Sequence, residues 1–315
     1  MIELHVHLDG SLRPATAMEL AREQGVEAPA ASLEEFTDRY MRVPENCPDL
    51  ETCLKRFDIP IRVLSNPDAI GRATKELTED LASEGFSYAE IRFAPQYARF
   101  TGYGQQEYVE AAIDGMKKAL DKAPSMKAAL ILCCMRGNDN QKENEETIRL
   151  TARYLDSGVC AADLAGAEGL FPTENFASVF ALARKLDVPY TIHAGEGAGA
   201  ESVRQALAME PRRIGHGVRA AEDPELVREL ARRKIALEVC YTSNVQTQAM
   251  KNGQEHPFRL LYDAGVHVTV NTDNRTISDV RLADEIRRVQ QKFQFTDQDI
   301  AVMQEYAREA AFTRL

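Results

Sequence analysis

The 315-residue sequence has no tryptophan, and no stretch of it approaches the roughly 20 apolar residues that a membrane span requires. The longest candidate, Met126 to Met135, includes Lys127 and reads as a buried strand. The first residues, MIELHVHLDG, lack a basic n-region and a long apolar h-region, so no secretory signal is expected. Basic side chains are the minority, 38 against 49 acidic, for a net charge of −11. That balance argues against a general nucleic-acid or anionic-membrane binder, which would use basic patches. The six cysteines show no Cys-x-x-Cys and no regular spacing. Neighbouring Cys133 and Cys134, on opposite faces of a presumed strand, read as reduced core thiols and suit a cytoplasmic protein. Missing too are a Gly-x-Gly-x-x-Gly turn after the first strand, low-complexity tracts and Pro/Gly/Ser linkers, so neither a dinucleotide-binding sheet nor a chain of domains is expected.

Short β-rich runs alternate with longer amphipathic segments along the chain. The expected strands are Ile2–Leu8, Tyr88–Phe93, Lys127–Cys134, Val159–Leu164, Pro189–His193, Arg213–His216, Ala236–Cys240 and Val266–Asn271. Helical patterns cover Asp68–Ser83, Asp139–Leu155, Asp223–Arg233 and Asp279–Lys292. Such β-then-α units predict an α/β fold, a closed (β/α)₈ TIM barrel forming one domain over residues 1–315. The segment after the first strand is too long for a βα loop, and Ala15–Gln24 and Leu33–Leu64 read as inserted helices, an insertion of about 15–64. There Leu50, Cys53, Leu54, Phe57 and Ile61 make one apolar stripe. Packing on the barrel rim explains the stripe. A lid over the pocket is the sharper reading, because βα loops sit over the catalytic face of such barrels.

The first strand carries most of the chemistry. Ile2, Leu4, Val6 and Leu8 share one face, and Glu3, His5 and His7 share the other. In a barrel this points two imidazoles inward at the strand's C-terminal end. His193 ends the fifth strand, His216 ends the sixth, Asp273 follows the eighth, and Glu196 lies just past His193. Strand ends form the site in this architecture. Three imidazoles and one carboxylate suit Zn²⁺ or another borderline divalent ion, with a position left for water. Core histidines placed by coincidence are the rival explanation. His256, before Pro257, and His267, at the opposite end of its strand, read as structural. No Pro-Cys-x-x-Cys accompanies a His-x-Glu, which excludes the small zinc cytidine-deaminase type.

His5-x-His7-Leu8-Asp9-Gly10-Ser11-Leu12, Asp163-Leu164-Ala165-Gly166, His193-Ala194-Gly195-Glu196, Arg213-Ile214-Gly215-His216-Gly217, Cys240-Tyr241-Thr242-Ser243-Asn244 and Asn271-Thr272-Asp273 follow one another in order. This series resembles the adenosine deaminase family, metal-dependent members of the amidohydrolase superfamily, over about residues 2 to 275. The resemblance implies a hydrolase of purine metabolism that turns adenosine and 2′-deoxyadenosine into inosine and deoxyinosine with release of ammonia. It implies one Zn²⁺ per chain held by His5, His7, His193 and Asp273. Binuclear relatives bridge two metals with a lysine on the fourth strand, and Val159–Gly166 contains none. Glu196 would protonate purine N1. His216 would orient the attacking hydroxide and help take its proton, with Asp273 hydrogen-bonding the same oxygen. The Gly166 N–H would donate to purine N3, Asp9 would accept from the ribose 5′-hydroxyl, His7 would also touch substrate, and Leu54 and Phe57 would line the pocket from the lid.

Three departures from the family pattern stand out. Asn274 occupies a position where the family often has Asp contacting purine N7, Tyr241 stands where Pro is commoner, and the chain ends soon after Phe312. Adenine and AMP-type deaminases share most of these motifs, and a 5′-modified adenosine is a further candidate substrate. Adenine enzymes usually carry Glu at the Asp9 position, and Arg13 is the only basic residue in Asp9–Thr16, where a phosphate would want several. A catalytically inactive nucleoside-binding homologue would have no use for Glu196 and His216 together. The expected partner is a small-molecule purine nucleoside, with no nucleic acid and no membrane; the sequence is silent on oligomeric state. Purine N7 accepts hydrogen bonds, so a carboxyl must be protonated to donate to it, whereas an amide donates at any pH. Asn274→Asp is therefore expected to shift the activity profile towards lower pH, and identical pH–rate profiles for variant and wild type would defeat that assignment.

Overall fold

The computed structural model describes residues 1–44, 47, 48, 50–250 and 254–315. Eight parallel strands follow one another around a barrel: β1 Ile2–His7, β2 Tyr88–Phe93, β3 Lys127–Met135, β4 Val159–Ala165, β5 Thr191–Ala194, β6 Arg213–His216, β7 Ala236–Val239 and β8 Val268–Val270. Regular ladders join β1 through β4 and β5 through β8. Two parallel bridges link those runs, Ala162 with Tyr190 and Val6 with Asp273. Pro189 has no N–H, so β5 begins two residues later than the hydrophobic pattern suggests, although the Pro189 carbonyl accepts from Ala162 N at 2.9 Å.

The period-two alternation sorts the side chains. Outward residues, among them Val6, Ile91, Leu132, Leu164, Ile192, Ile214, Leu237 and Val268, are buried under the surrounding helices in one apolar cluster. Inward residues are equally buried and include many polar ones, alongside an apolar group of Ala129, Ile131 and Ala161 on β3 and β4. Arg92 donates to Asp163 at 2.9 Å and to Glu238 at 2.8 Å. Arg213 donates to Glu238 and to Glu90, both at 2.6 Å. A contact from β6 to β2 crosses the barrel, which places this chain of charges on its axis. The Arg213 guanidinium also stacks 4.0 Å from the Phe312 ring, and Phe312 N donates to Glu90 at 2.7 Å. Phe312 thus covers the end of the barrel opposite the histidines.

The insertion after β1 forms helices Pro14–Glu23, Leu33–Tyr40, Leu50–Leu54 and Asp58–Val63, with a 3₁₀ turn at Lys55–Phe57. Ser32 caps its helix by accepting from Glu35 N, and Asn66 caps Pro67–Ser83 by accepting from Ala69 N. Cys47 and Cys53, for which the spacing suggested no pairing, are joined in a disulfide within this insertion. Cys133, Cys134, Cys160 and Cys240 are free and buried. Among the described residues no helix is long and apolar enough to cross a membrane.

Removing one member of a buried ion chain leaves its partners charged without compensation, at a cost of about 3–5 kcal/mol. Arg213→Met strands both Glu90 and Glu238 and is expected to lower the denaturant midpoint accordingly. An unchanged midpoint would mean that the interior charges do not support the fold.

Candidate active site

The C-terminal ends of the strands open into a cavity of about 250 Å³. His7, Asp9, Gly166, His193, Glu196, His216, Asp273 and Asn274 line it, with Leu54 and Phe57 from the insertion. His5 lies fully buried one step below. His7 Nε2 is 3.2 Å from His193 Nε2. His5 Nε2 and His7 Nε2 each lie 3.4 Å from Asp273 Oδ1. The fold therefore brings together all four residues expected to hold a metal.

Their outer nitrogens decide what this cluster can bind. His5 Nδ1 meets Glu238 at 2.8 Å, and His193 Nδ1 meets Asp163 at 2.9 Å. Those carboxylates accept the Nδ1 protons, which turns the Nε2 lone pairs of both rings inward. Lone pairs facing one another and a carboxylate repel unless a cation lies between them. Accordingly His5 Nε2 has no hydrogen-bond partner among the described residues. Burial, then the nearby Arg92, pushes the His5 pKa down to about 4, so a proton does not supply that cation near neutrality. Burial alone would raise Glu238, yet Arg92 and Arg213 hold it well below the usual carboxylate range. The residues fit a divalent ion.

Beside the cluster, Glu196 Oε1 accepts from Thr247 Oγ1 at 3.0 Å, and its Oε2 lies 3.5 Å from His216 Nε2. Burial raises the Glu196 pKa, so this carboxyl keeps a proton more readily than an exposed one. The loop bearing Glu196 is held from below. Glu168 accepts the backbone N–H groups of Gly195, Glu196, Gly197 and Ala198 at 2.7 to 3.1 Å. His216 and Asp273 both adopt left-handed backbone conformations, φ 58° and 61°, uncommon for residues with a Cβ. Ser243 Oγ donates to Asp273 Oδ2 at 2.6 Å. Behind Ser243, Glu285 accepts from Thr242 N at 2.7 Å and from the Thr242 hydroxyl.

The expected substrate-binding residues share the cavity wall. Burial pushes the Asp9 pKa up to about 6, against the hydrogen bond it accepts from Gly10 N at 3.0 Å. Asn274 packs directly on Gly10, where an added Cβ would come within 1.9 Å of Asn274 Oδ1. Gly166 has φ +108°, a conformation open to glycine, so its backbone can lie flat along the wall. Tyr241, unexplained by sequence, packs edge-on against His256 and Phe293. His267 stacks on Tyr306, with ring centroids 4.0 Å apart. Sequence reasoning missed Glu168, Glu238, Glu285 and Thr247. Strand parity could have marked Glu238 as inward, but nothing local distinguishes Glu168 on its loop.

The adenosine deaminase family profile matches residues 1–314. An adenosine deaminase of Haemophilus ducreyi is 44% identical over 299 residues, 94% of this chain and 87% of that protein. A zinc-bound amidohydrolase of Burkholderia ambifaria superposes with a TM-score of 0.88 at 25% identity, covering 99% of this chain and 85% of that one. An N6-mAMP deaminase of Arabidopsis superposes with a TM-score of 0.85 at 27% identity, covering 99% and 93%.

Glu285 supplies a pH test of the scaffold behind Ser243. Burial raises its pKa to about 7, although the Thr242 hydrogen bonds pull the other way. A folded-state pKa above the unfolded value gives stability that is present at low pH and lost as pH rises through the folded pKa. Glu285→Gln stays neutral throughout. Its stability relative to wild type is expected to rise between about pH 5 and about pH 8, by up to about 3 kcal/mol. Parallel stability curves for the two proteins would refute a buried, proton-holding Glu285.

Proposed function

The chain belongs to the adenosine deaminase family, and from that premise we propose that it hydrolyses adenosine and 2′-deoxyadenosine to inosine or deoxyinosine and ammonia. The observation that carries this reading is the convergence of His5, His7, His193 and Asp273 beside a buried carboxyl, Glu196, in one cavity. His5, His7, His193 and Asp273 would hold one Zn²⁺ per chain, a donor set that suits this ion. Such an ion, when bound, makes a nucleophile available at neutral pH by lowering the pKa of water from about 16 to about 7.

The remaining work falls to the chain's own residues. Glu196, its pKa raised by burial, holds the proton that purine N1 needs to make C6 electrophilic. Asp273, fixed by Ser243, and His216, beside Glu196, flank the space where oxygen would attack C6 and ammonia would leave. Gly166 N–H and Asn274 would read N3 and N7, and Asp9 the ribose 5′-hydroxyl. Leu54 and Phe57 would cover the nucleoside and limit water. The cavity favours a nucleoside over a nucleotide. Among the described lining residues Arg136 is the only arginine or lysine, and its Nη atoms are already bonded to Phe171 O, Thr173 and His193 O. A phosphate near Asp9 would find a carboxylate instead of a free cation.

Ultraviolet assays of adenosine, 2′-deoxyadenosine, adenine and AMP test the proposal on zinc-loaded protein. Loss of the two nucleosides, abolished by chelator and restored by Zn²⁺, is the expected result; silence on all four would move the substrate to a modified adenosine. Glu196→Gln is expected to keep zinc while turnover falls by about 10²–10⁴-fold. His193→Ala is expected to lose the metal itself, read by metal analysis.

A further inference from the structure

Behind His216 runs a hydrogen-bond chain that the chemistry above does not use. His216 Nδ1 lies 3.0 Å from Asn244 Nδ2, and Asn244 Oδ1 lies 3.3 Å from His256 Nε2. All three side chains are buried. His256 sits among aromatic rings: Tyr241 meets it edge-on with centroids 5.2 Å apart, and Phe293 and Phe258 lie at 5.9 and 6.0 Å. Its Nδ1 has no hydrogen-bond partner among the described residues.

These contacts decide where the protons reside. In its apolar surroundings His256 stays neutral, because burial pushes its pKa down to about 3. A neutral ring carries one proton. On Nδ1 that proton would be a stranded buried N–H, a cost of about 1–3 kcal/mol, and orphaned buried donors are rarer than under-used acceptors. The proton therefore sits on Nε2 and donates to Asn244 Oδ1. With its oxygen so engaged, Asn244 turns its Nδ2–H to His216, whose Nδ1 must accept. A ring that accepts at Nδ1 carries its proton on Nε2, the nitrogen 3.5 Å from Glu196 Oε2.

We infer that Tyr241, His256 and Asn244 form a positioning chain that holds His216 as its Nε2–H tautomer, so that His216 faces the reaction space as a hydrogen-bond donor. The inference rests on the reading of His216 as part of the catalytic cavity. It revises the expectation that His216 helps to take a proton, because a protonated Nε2 has no lone pair for one. Asn244 and His256 act only through His216. Tyr241 gains a role as one wall of the nest that keeps His256 neutral.

The test reads the tautomer directly, by long-range proton–nitrogen correlation NMR on zinc-loaded protein labelled with ¹⁵N-histidine. The sequence has only six histidines, and the His216 signals are identified by their loss in His216→Gln. In the wild type the His216 proton is expected on Nε2. Asn244→Asp replaces the donor with an acceptor, so the proton should move to Nδ1 while kcat falls about 10- to 100-fold and KM stays close to wild type. His256→Gln, which can still donate to Asn244, should keep the wild-type tautomer, whereas His256→Leu should yield a mixture. A wild-type His216 protonated at Nδ1, or at both nitrogens, overturns the inference without any variant having to fold. So does a tautomer that ignores Asn244→Asp. Should the wild type carry the Nε2–H tautomer yet leave adenosine untouched, the substrate assignment fails and the positioning chain stands.

Discussion

The ionic chain along the barrel axis is the constraint on which the site depends. Glu90, Glu238 and Asp163 share two guanidiniums, Arg213 and Arg92, and all five side chains are buried. Burial of so many charges is tolerable only when each carboxylate is met by a cation and further hydrogen bonds, as here. The arrangement still leaves the interior with more carboxylates than cations directly beneath the imidazoles. Glu3 does not add to the excess, since burial pushes its pKa up to about 8 and keeps it neutral. Asp273 does add to it, with its Oδ1 3.4 Å from the Nε2 atoms of both His5 and His7. An anionic floor beneath inward-turned lone pairs is an environment built for a divalent cation, and the same carboxylates that anchor the arginines set the tautomers of His5 and His193.

Much of this was legible in the sequence, for a physical reason. Strand alternation sets His5 and His7 apart from Val6 and Leu8 before any tertiary contact is known, although in the fold a register shift between Glu3 and Val6 interrupts it nearer the start of the strand. Histidines at the ends of β5 and β6, with Asp273 after β8, then converge because parallel strands in a barrel end on one face. Less legible were the groups whose roles arise only from packing. Glu168 lies in a loop without periodicity, and its four backbone contacts come from a segment nearly thirty residues away. Asn244 and His256 flank no strand end, and nothing in their spacing indicates that they meet. The Cys47–Cys53 pairing follows from how the insertion folds back, which the stripe from Leu50 to Ile61 does not specify.

Phe312 shows the same logic at the opposite end of the barrel. In sequence it is one aromatic residue near the last helix. In the fold its ring covers Arg213 and its N–H reaches Glu90, so the segment after Ala310 joins the charge chain whose other end is Asp163. Glu238 bonds both Arg213 and His5, so one carboxylate touches the covered end's arginine and the imidazole cluster.

Barrel closure and the placement of a candidate metal ligand meet at a single residue. Asp273 N donates to His5 O at 2.8 Å, and His7 N donates to Asp273 O at 2.7 Å, so the backbone of Asp273 joins the last strand to the first. Its side chain at the same time faces both β1 imidazoles, 3.4 Å from each Nε2. The left-handed φ at this position is what allows both. Such a conformation is costly for a residue with a Cβ and persists only where surrounding contacts over-determine it. Here two backbone hydrogen bonds and the Ser243 contact do so. The contact that joins the last strand to the first is therefore also the one that brings a fourth candidate ligand to the three histidines.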